Sequence, residues 1–337
     1  MQCMSASQLI VIGASAGGVS ALLRIARDLP APFPAPVCIV QHVGRNPSLL
    51  PELLQYAGPN RAVHASHGDK LRPGTLYVAP PDRHVLVDGD TLSLTHGARE
   101  NYARPAIDPL FRSAAATWTS RVIAVVLTGQ MDDGAAGLRA VQDCGGTTVV
   151  QDPADAEEPE MPRSALAAVD ADHCVPLSGI APLLEQLARA AAPAASPPVP
   201  EAVLHEVAIH RGDMALERLN AMADPSPLAC PECGGGLSEV RAAKPLRFRC
   251  HTGHGFTARA LQRLHEEGAE QALWATLRTL RERELLLQRV SVFARATGDE
   301  PQAQAALASA TQVRAQIRSL VGMVQGNGDE GDEGGPA

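Results

Sequence analysis

Short apolar runs rich in Val and Ile recur between Leu9 and Leu177, each continuous and each followed by turn residues and then helical periodicity. A strand that is apolar at successive positions must be covered on both faces, because neighbouring side chains point to opposite sides of the sheet. Residues 9–12, 37–40, 122–127 and 147–150 read as such strands, and 20–28, 47–56, 109–117 and 134–143 as helices between them. The pattern predicts an α/β fold with a doubly wound, mainly parallel sheet. Shorter strands over 76–78, 84–87 and 91–95, separated by Pro-Pro-Asp and Asp-Gly-Asp turns, predict a β-hairpin insertion at a sheet edge. Aromatic residues make up only 3%, so Ala, Val, Leu and Ile must fill the core.

The pattern changes after residue 190. Residues 191–202, rich in Ala and Pro, read as a linker. Residues 203–257 hold a Cys/His cluster and predict a small zinc-ribbon-like module. Residues 258–325 return to helical periodicity, with Leu273, Leu277, Leu280 and Leu287 on one face and a break at Gly298-Asp299-Glu300-Pro301. They predict a helical hairpin. Residues 326–337 read as a disordered acidic tail. Net charge is -8, from 29 basic and 37 acidic residues, which argues against nucleic acid as a partner. The seven cysteines are odd in number, and Cys3, Cys38, Cys144 and Cys174 are scattered singly, so no disulfide framework is expected. With no apolar run of membrane-spanning length and no secretion signal, the expectation is a cytoplasmic protein that is not membrane-inserted.

Three residues at strand ends carry the chemistry. Gly13-Ala14-Ser15-Ala16-Gly17 follows the first strand and matches the G-x-S-x-G nucleophile turn. A dinucleotide loop would want G-x-G-x-x-G and an acidic residue after the second strand, where this chain has Gln41-His42. His42 follows the second strand, and Asp133 follows the strand at 122–127. Strands of a parallel sheet end on one edge, so Ser15, His42 and Asp133 should converge there as nucleophile, base and orienting carboxylate. Taken singly, each has a plainer role as helix cap, structural histidine or turn residue. Backbone N–H groups near Ala16 and in the Gly129-Gln130 turn could hold an oxyanion.

Four separated segments resemble the catalytic domain of the chemotaxis protein-glutamate methylesterases, the CheB family. They are Ile12-Gly13-Ala14-Ser15-Ala16-Gly17-Gly18, Val40-Gln41-His42, the stretch from Leu127 to Gly137, and Met161-Pro162-Arg163-Ser164-Ala165. The resemblance covers roughly 9–177 and implies a catalytic domain over 1–190. It implies hydrolysis of glutamate methyl esters on the cytoplasmic helices of methylated chemoreceptors, with glutamine deamidation in some members, and no cofactor for catalysis. It assigns Ser15, His42 and Asp133 to the triad, with Asp132 as rival for the carboxylate, and gives Arg104 a cleft role whose alternative is a structural salt bridge. Ala16 stands where Thr is usual and Gln130 where Met is usual. The chain reaches its first strand at Leu9, so no receiver domain is expected within it, and a separate receiver or signalling protein could regulate it.

Cys230-Pro231-Glu232-Cys233-Gly234-Gly235 has the spacing of a metal knuckle, and Cys250 with His254 would complete a Cys3His set for a structural Zn2+. His251 is the alternative fourth ligand. Extended relatives of the family are similar in this region. Two other readings stay open: the same esterase machinery acting on a different signalling protein, and a zinc-containing scaffold.

Overall fold

The computed structural model describes residues 7–43, 47–191, 195–213 and 215–326. In chain order the first part runs β1 (Leu9–Ala14), α1 (Gly18–Asp28), β2 (Val37–Gln41), α2 (Leu50–Ala57), β3 (Arg61–His64), β4 (Thr75–Val78), β5 (His84–Asp88) and β6 (Thr91–Thr95). It continues through α3 (Ile107–Trp118), β7 (Val122–Val126), α4 (Ala135–Asp143), β8 (Thr147–Gln151), α5 (Glu160–Ala168), β9 (His173–Val175) and α6 (Leu177–Arg189). Seven strands form one parallel sheet in the order β3-β4-β2-β1-β7-β8-β9.

Alternation along β1 makes the layers. Leu9 and Val11 join Ile107, Leu110 and Phe111 of α3 and Leu138 of α4. Ile10 and Ile12 join Leu22 and Ile25 of α1 and Leu184 of α6 on the other face. The chain leaves β1 toward β2 on one side and returns as β7 on the other. Their carboxyl ends therefore flank a topological switch point, where sites form in such sheets.

The hairpin departs from expectation. β5 and β6 form a separate two-stranded antiparallel sheet, and Val85, Val87 and Leu92 pack into the α3 side of the core. They do not extend the main sheet, whose edges are β3 and β9. Residues 76–78 belong to β4, inside the main sheet.

The C-terminal part also differs. The chain up to Leu261 forms one compact unit, and the chain from Gln262 another, so the Cys/His segment is not a module apart. Here α7 (Glu201–His210) starts within the expected linker and sets Val203 and Val207 against Ala140 of α4. Then α8 (Leu216–Met222) leads into β10 (Ala223–Ala229), β11 (Gly236–Val240), β12 (Arg247–Cys250) and β13 (Gly255–Thr257), an antiparallel sheet in that order.

After it come α9 (Ala258–Ala296) and α10 (Glu300–Gly326), with Gly298 in the left-handed conformation between them. Leu277 meets Val313 and Ile317, and Ser291 Oγ donates to the Ala303 carbonyl at 2.8 Å, the pairing of an antiparallel hairpin. Leu280 and Leu287 pack in the same seam. The acidic tail expected over 326–337 lies, from 327 on, outside the described residues, as does Cys3. No helix among the described residues is long and apolar enough to cross a membrane.

Candidate active site and Cys/His cluster

Ser15, His42 and Asp133 follow β1, β2 and β7, three adjacent strands of the sheet. His42 Nδ1 lies 3.1 Å from Ser15 Oγ, and His42 Nε2 lies 2.8 Å from Asp133 Oδ2. The ring is partly open to solvent while Asp133 is buried. A carboxylate at Nε2 selects the tautomer protonated there, which leaves Nδ1 as the acceptor facing the serine.

Asp133 sits at the N-terminus of α3. Its Oδ2 also accepts from the Ile107 amide at 2.7 Å, and its Oδ1 from Asn101 Nδ2 at 3.1 Å. Burial alone would raise its pKa. The His42 contact, the Ile107 amide and the Asn101 amide outweigh it and hold the carboxyl below its ordinary value. Asp132 points elsewhere: its Oδ1 accepts from Thr257 Oγ1 at 2.8 Å. Burial pushes its pKa up to about 6.

The serine turn is braced from the side. Gln41 Nε2 donates to the Ser15 carbonyl at 2.8 Å, and Thr128 Oγ1 to the Ala16 carbonyl at 3.0 Å. Gly129 must lack a side chain, because a Cβ there would lie 2.8 Å from Ser15 Cβ and collide with Met161 Sδ. That contact brings the 129–131 turn beside the serine. Met131 holds a left-handed φ of 69°, with its amide donating to Glu160 Oε2 at 2.8 Å. The amides of Ala16 and Gln130 have no acceptor among the described residues.

Asp108 accepts from the amides of Gly134 at 3.0 Å and Gly137 at 2.6 Å, and from Asn101 Nδ2 at 3.2 Å. Burial, with Asp133 nearby, raises its pKa to about 8. Gln41, Asn101 and Asp108 were missed by sequence reasoning, since no spacing rule ties them to the serine.

Arg104 is not brought to this group. Its guanidinium donates to Asp82 Oδ1 at 2.8 and 2.9 Å and to the Gly97 carbonyl at 2.7 Å. These contacts occupy it as a salt bridge, in place of the cleft role.

Cys230, Cys233, Cys250 and His254 come together at the turns after β10 and β12, with their ligand atoms all within 4.8 Å of one another. Such a group can hold a metal ion. His251 lies instead against Gly235, whose Cβ position its ring edge would meet at 2.5 Å. Burial opposes ionisation of Cys233, but hydrogen bonds from Thr252, the Gly235 amide and His254 lower its thiol to about 6.

The profile of a family described as CheB methylesterase matches residues 10–184. A Leptospira interrogans protein provisionally named protein-glutamate methylesterase/protein-glutamine glutaminase is 41% identical over 53% of this chain and 94% of its own length. A protein-glutamate methylesterase/protein-glutamine glutaminase of Anaeromyxobacter dehalogenans is 38% identical over 54% of each chain. The crystal structure of the Thermotoga maritima CheB methylesterase catalytic domain superposes with a TM-score of 0.52 at 32% identity, covering 54% of this chain and all of that one.

Proposed function

The chain belongs to the CheB methylesterase family, and from that premise we propose that it hydrolyses glutamate methyl esters on chemoreceptor helices by a Ser15-His42-Asp133 mechanism. The observation that carries the reading is the unbroken chain of contacts from Ser15 Oγ through His42 to Asp133 at the carboxyl ends of three neighbouring strands.

Ser15 Oγ attacks the ester carbonyl as its proton passes to His42 Nδ1. Asp133, ionised and anchored on the α3 terminus, holds Nε2–H and stabilises the imidazolium. The oxyanion sits against the free amides of Ala16 and Gln130. Collapse of the tetrahedral intermediate expels methanol, which takes the proton from His42, and a water repeats the sequence on the acyl-serine. A glutamine side chain enters the same route with ammonia leaving. The triad needs no cofactor.

The Cys/His cluster fits a structural Zn2+. Tetrahedral zinc with Zn–S of about 2.3 Å and Zn–N of about 2.05 Å has S···S and S···N edges of about 3.8 and 3.6 Å. Cys233 and Cys250 Sγ are 3.8 Å apart, and Cys250 Sγ and His254 Nδ1 3.5 Å apart. Cys230, Cys233, Cys250 and His254 would fill the coordination shell, so a bound ion would supply folding energy and leave the ester chemistry to the triad.

The test is methanol release from a methylated receptor. Wild type releases it, while Ser15→Ala lowers the rate by at least about 10³-fold, as loss of a triad nucleophile does. Undiminished release by Ser15→Ala would remove the triad from the mechanism.

A further inference from the structure

Asn101 hydrogen-bonds both Asp133 and the C-terminal sheet. Its Nδ2 donates to Asp133 Oδ1 at 3.1 Å and to Asp108 Oδ2 at 3.2 Å. Its Oδ1 accepts from the Thr257 amide at 2.9 Å, and its own amide donates to the Gly255 carbonyl at 2.8 Å. The Thr257 bond engages the side-chain carbonyl, and the Gly255 bond anchors the main chain of Asn101 against β13. An Asn with one face committed to a strand presents its NH2 in a single direction, toward the carboxylate.

The turn that carries it is built for this. Asn101 and Tyr102 both have left-handed φ, 50° and 64°, and Glu100 and Ala103 exchange both backbone hydrogen bonds across them. That is a tight I′-type hairpin turn, which Asn tolerates at its first central position. Glu100 is anchored in turn: its carboxylate meets Arg249 Nη2 at 2.8 Å, Arg112 Nη2 at 2.6 Å and His210 Nε2 at 3.0 Å, all buried. The same C-terminal segment reaches the second half of the site. Thr257 Oγ1 holds Asp132, and Arg259 pairs at 2.9 Å with Glu160, whose other oxygen holds the Met131 amide beside Gln130.

We propose that Asn101 is a positioning residue for the triad, oriented by β13, so that the Cys/His sheet is a working part of the esterase site. The proposal rests on the Ser15-His42-Asp133 reading. Asn101 shares the charge of Asp133 and sets the rotation of its carboxylate toward His42. The order of residues supports the coupling: His254 immediately precedes Gly255, and Arg249 immediately precedes Cys250. Two of the four cluster ligands therefore sit next to residues that grip the turn, Arg249 and Gly255.

Asn101→Gly tests this in the full chain, because Gly keeps the left-handed turn and removes only the amide. The expected result is a fall in kcat of about tenfold or more, the kinetic size of one hydrogen bond to a charged acceptor, with KM little changed. The acid limb of kcat/KM moves to higher pH, because a carboxylate no longer shared with Asn101 holds the His42 proton more tightly. A kcat within twofold of wild type would overturn the proposal. Where the variant folds poorly, the position of the acid limb still decides, since it is independent of how much enzyme is active; an unmoved limb overturns the proposal. Ser15→Ala and labelling of Ser15 by a fluorophosphonate separate the two readings. Labelled wild type beside an unaffected Asn101→Gly removes only the positioning role, whereas unlabelled wild type removes the triad itself.

Discussion

Asp132 and Asp133 are adjacent carboxylates that titrate in opposite directions. Asp133 keeps its proton off because His42 and the α3 amides favour the anion; Asp132 is buried with the Thr257 hydroxyl as its donor. The sign for Asp132 follows from its raised pKa. Below the ordinary value near 3.8 it is protonated folded or unfolded. As pH rises toward about 6 only the unfolded chain ionises, and stability is lost through that window. Asp132→Asn is expected to gain on wild type as pH rises from 4 to 7, by on the order of 2 kcal/mol. Urea unfolding of both proteins at the two pH values measures it, and a difference that stays constant with pH refutes it. The three triad candidates were legible because each follows a strand of one parallel sheet. Asn101 was not: it lies on a loop without a motif, and its meaning comes from a strand over 150 positions later.

At the scale of elements, the buried strands read plainly, since β1, β2, β7 and β8 are apolar on both faces. β3 was unreadable because Arg61-Ala62-Val63-His64 is a partly exposed edge with only two apolar residues. The hairpin of β5 and β6 was found and misplaced. Alternation identifies strands, but which sheet they join depends on α3, whose apolar surface covers them. The β12–β13 hairpin carries Cys250 and His254 and also grips the 100–103 turn. Removing metal from the holoprotein with a chelator should therefore speed amide exchange at Asn101 and Gly255 while leaving β1 and β7 protected. Hydrogen–deuterium exchange with and without chelator checks this. Equal exchange at Asn101 would show that the grip holds without the ion.

Across the whole catalytic unit, a buried charge cluster joins parts distant in sequence. Glu100 and Glu206 face Arg112, Arg249 and the half-hidden Arg247, drawn from α3, α7, β12 and the loop before α3. Burial would favour the neutral acid at Glu100, yet the two arginines hold it ionised, well below the usual carboxylate range. The cluster explains why the domain boundary expected near residue 190 does not separate two units. Composition marks a linker, while these charges stitch across it. Arg249→Met should cost about 3 kcal/mol, because it removes the buried cation that Glu100 and Glu206 share. Adding Glu100→Gln should recover part of that loss. Denaturant midpoints of the single and double variants measure both, and a loss under about 1 kcal/mol would show the cluster to be bystander charge.

The bond between Asn101 and β13 also bears on synthesis. The last strand of the parallel sheet ends at Val175, but Gly255 and Thr257 leave the ribosome roughly 80 residues later. At about 5–20 residues per second that is a delay of about 4–16 s. During it the nascent sheet holds its nucleophile without the strand that orients the carboxylate. The parallel sheet is thus complete in the growing chain before the strand that grips Asn101 has been made.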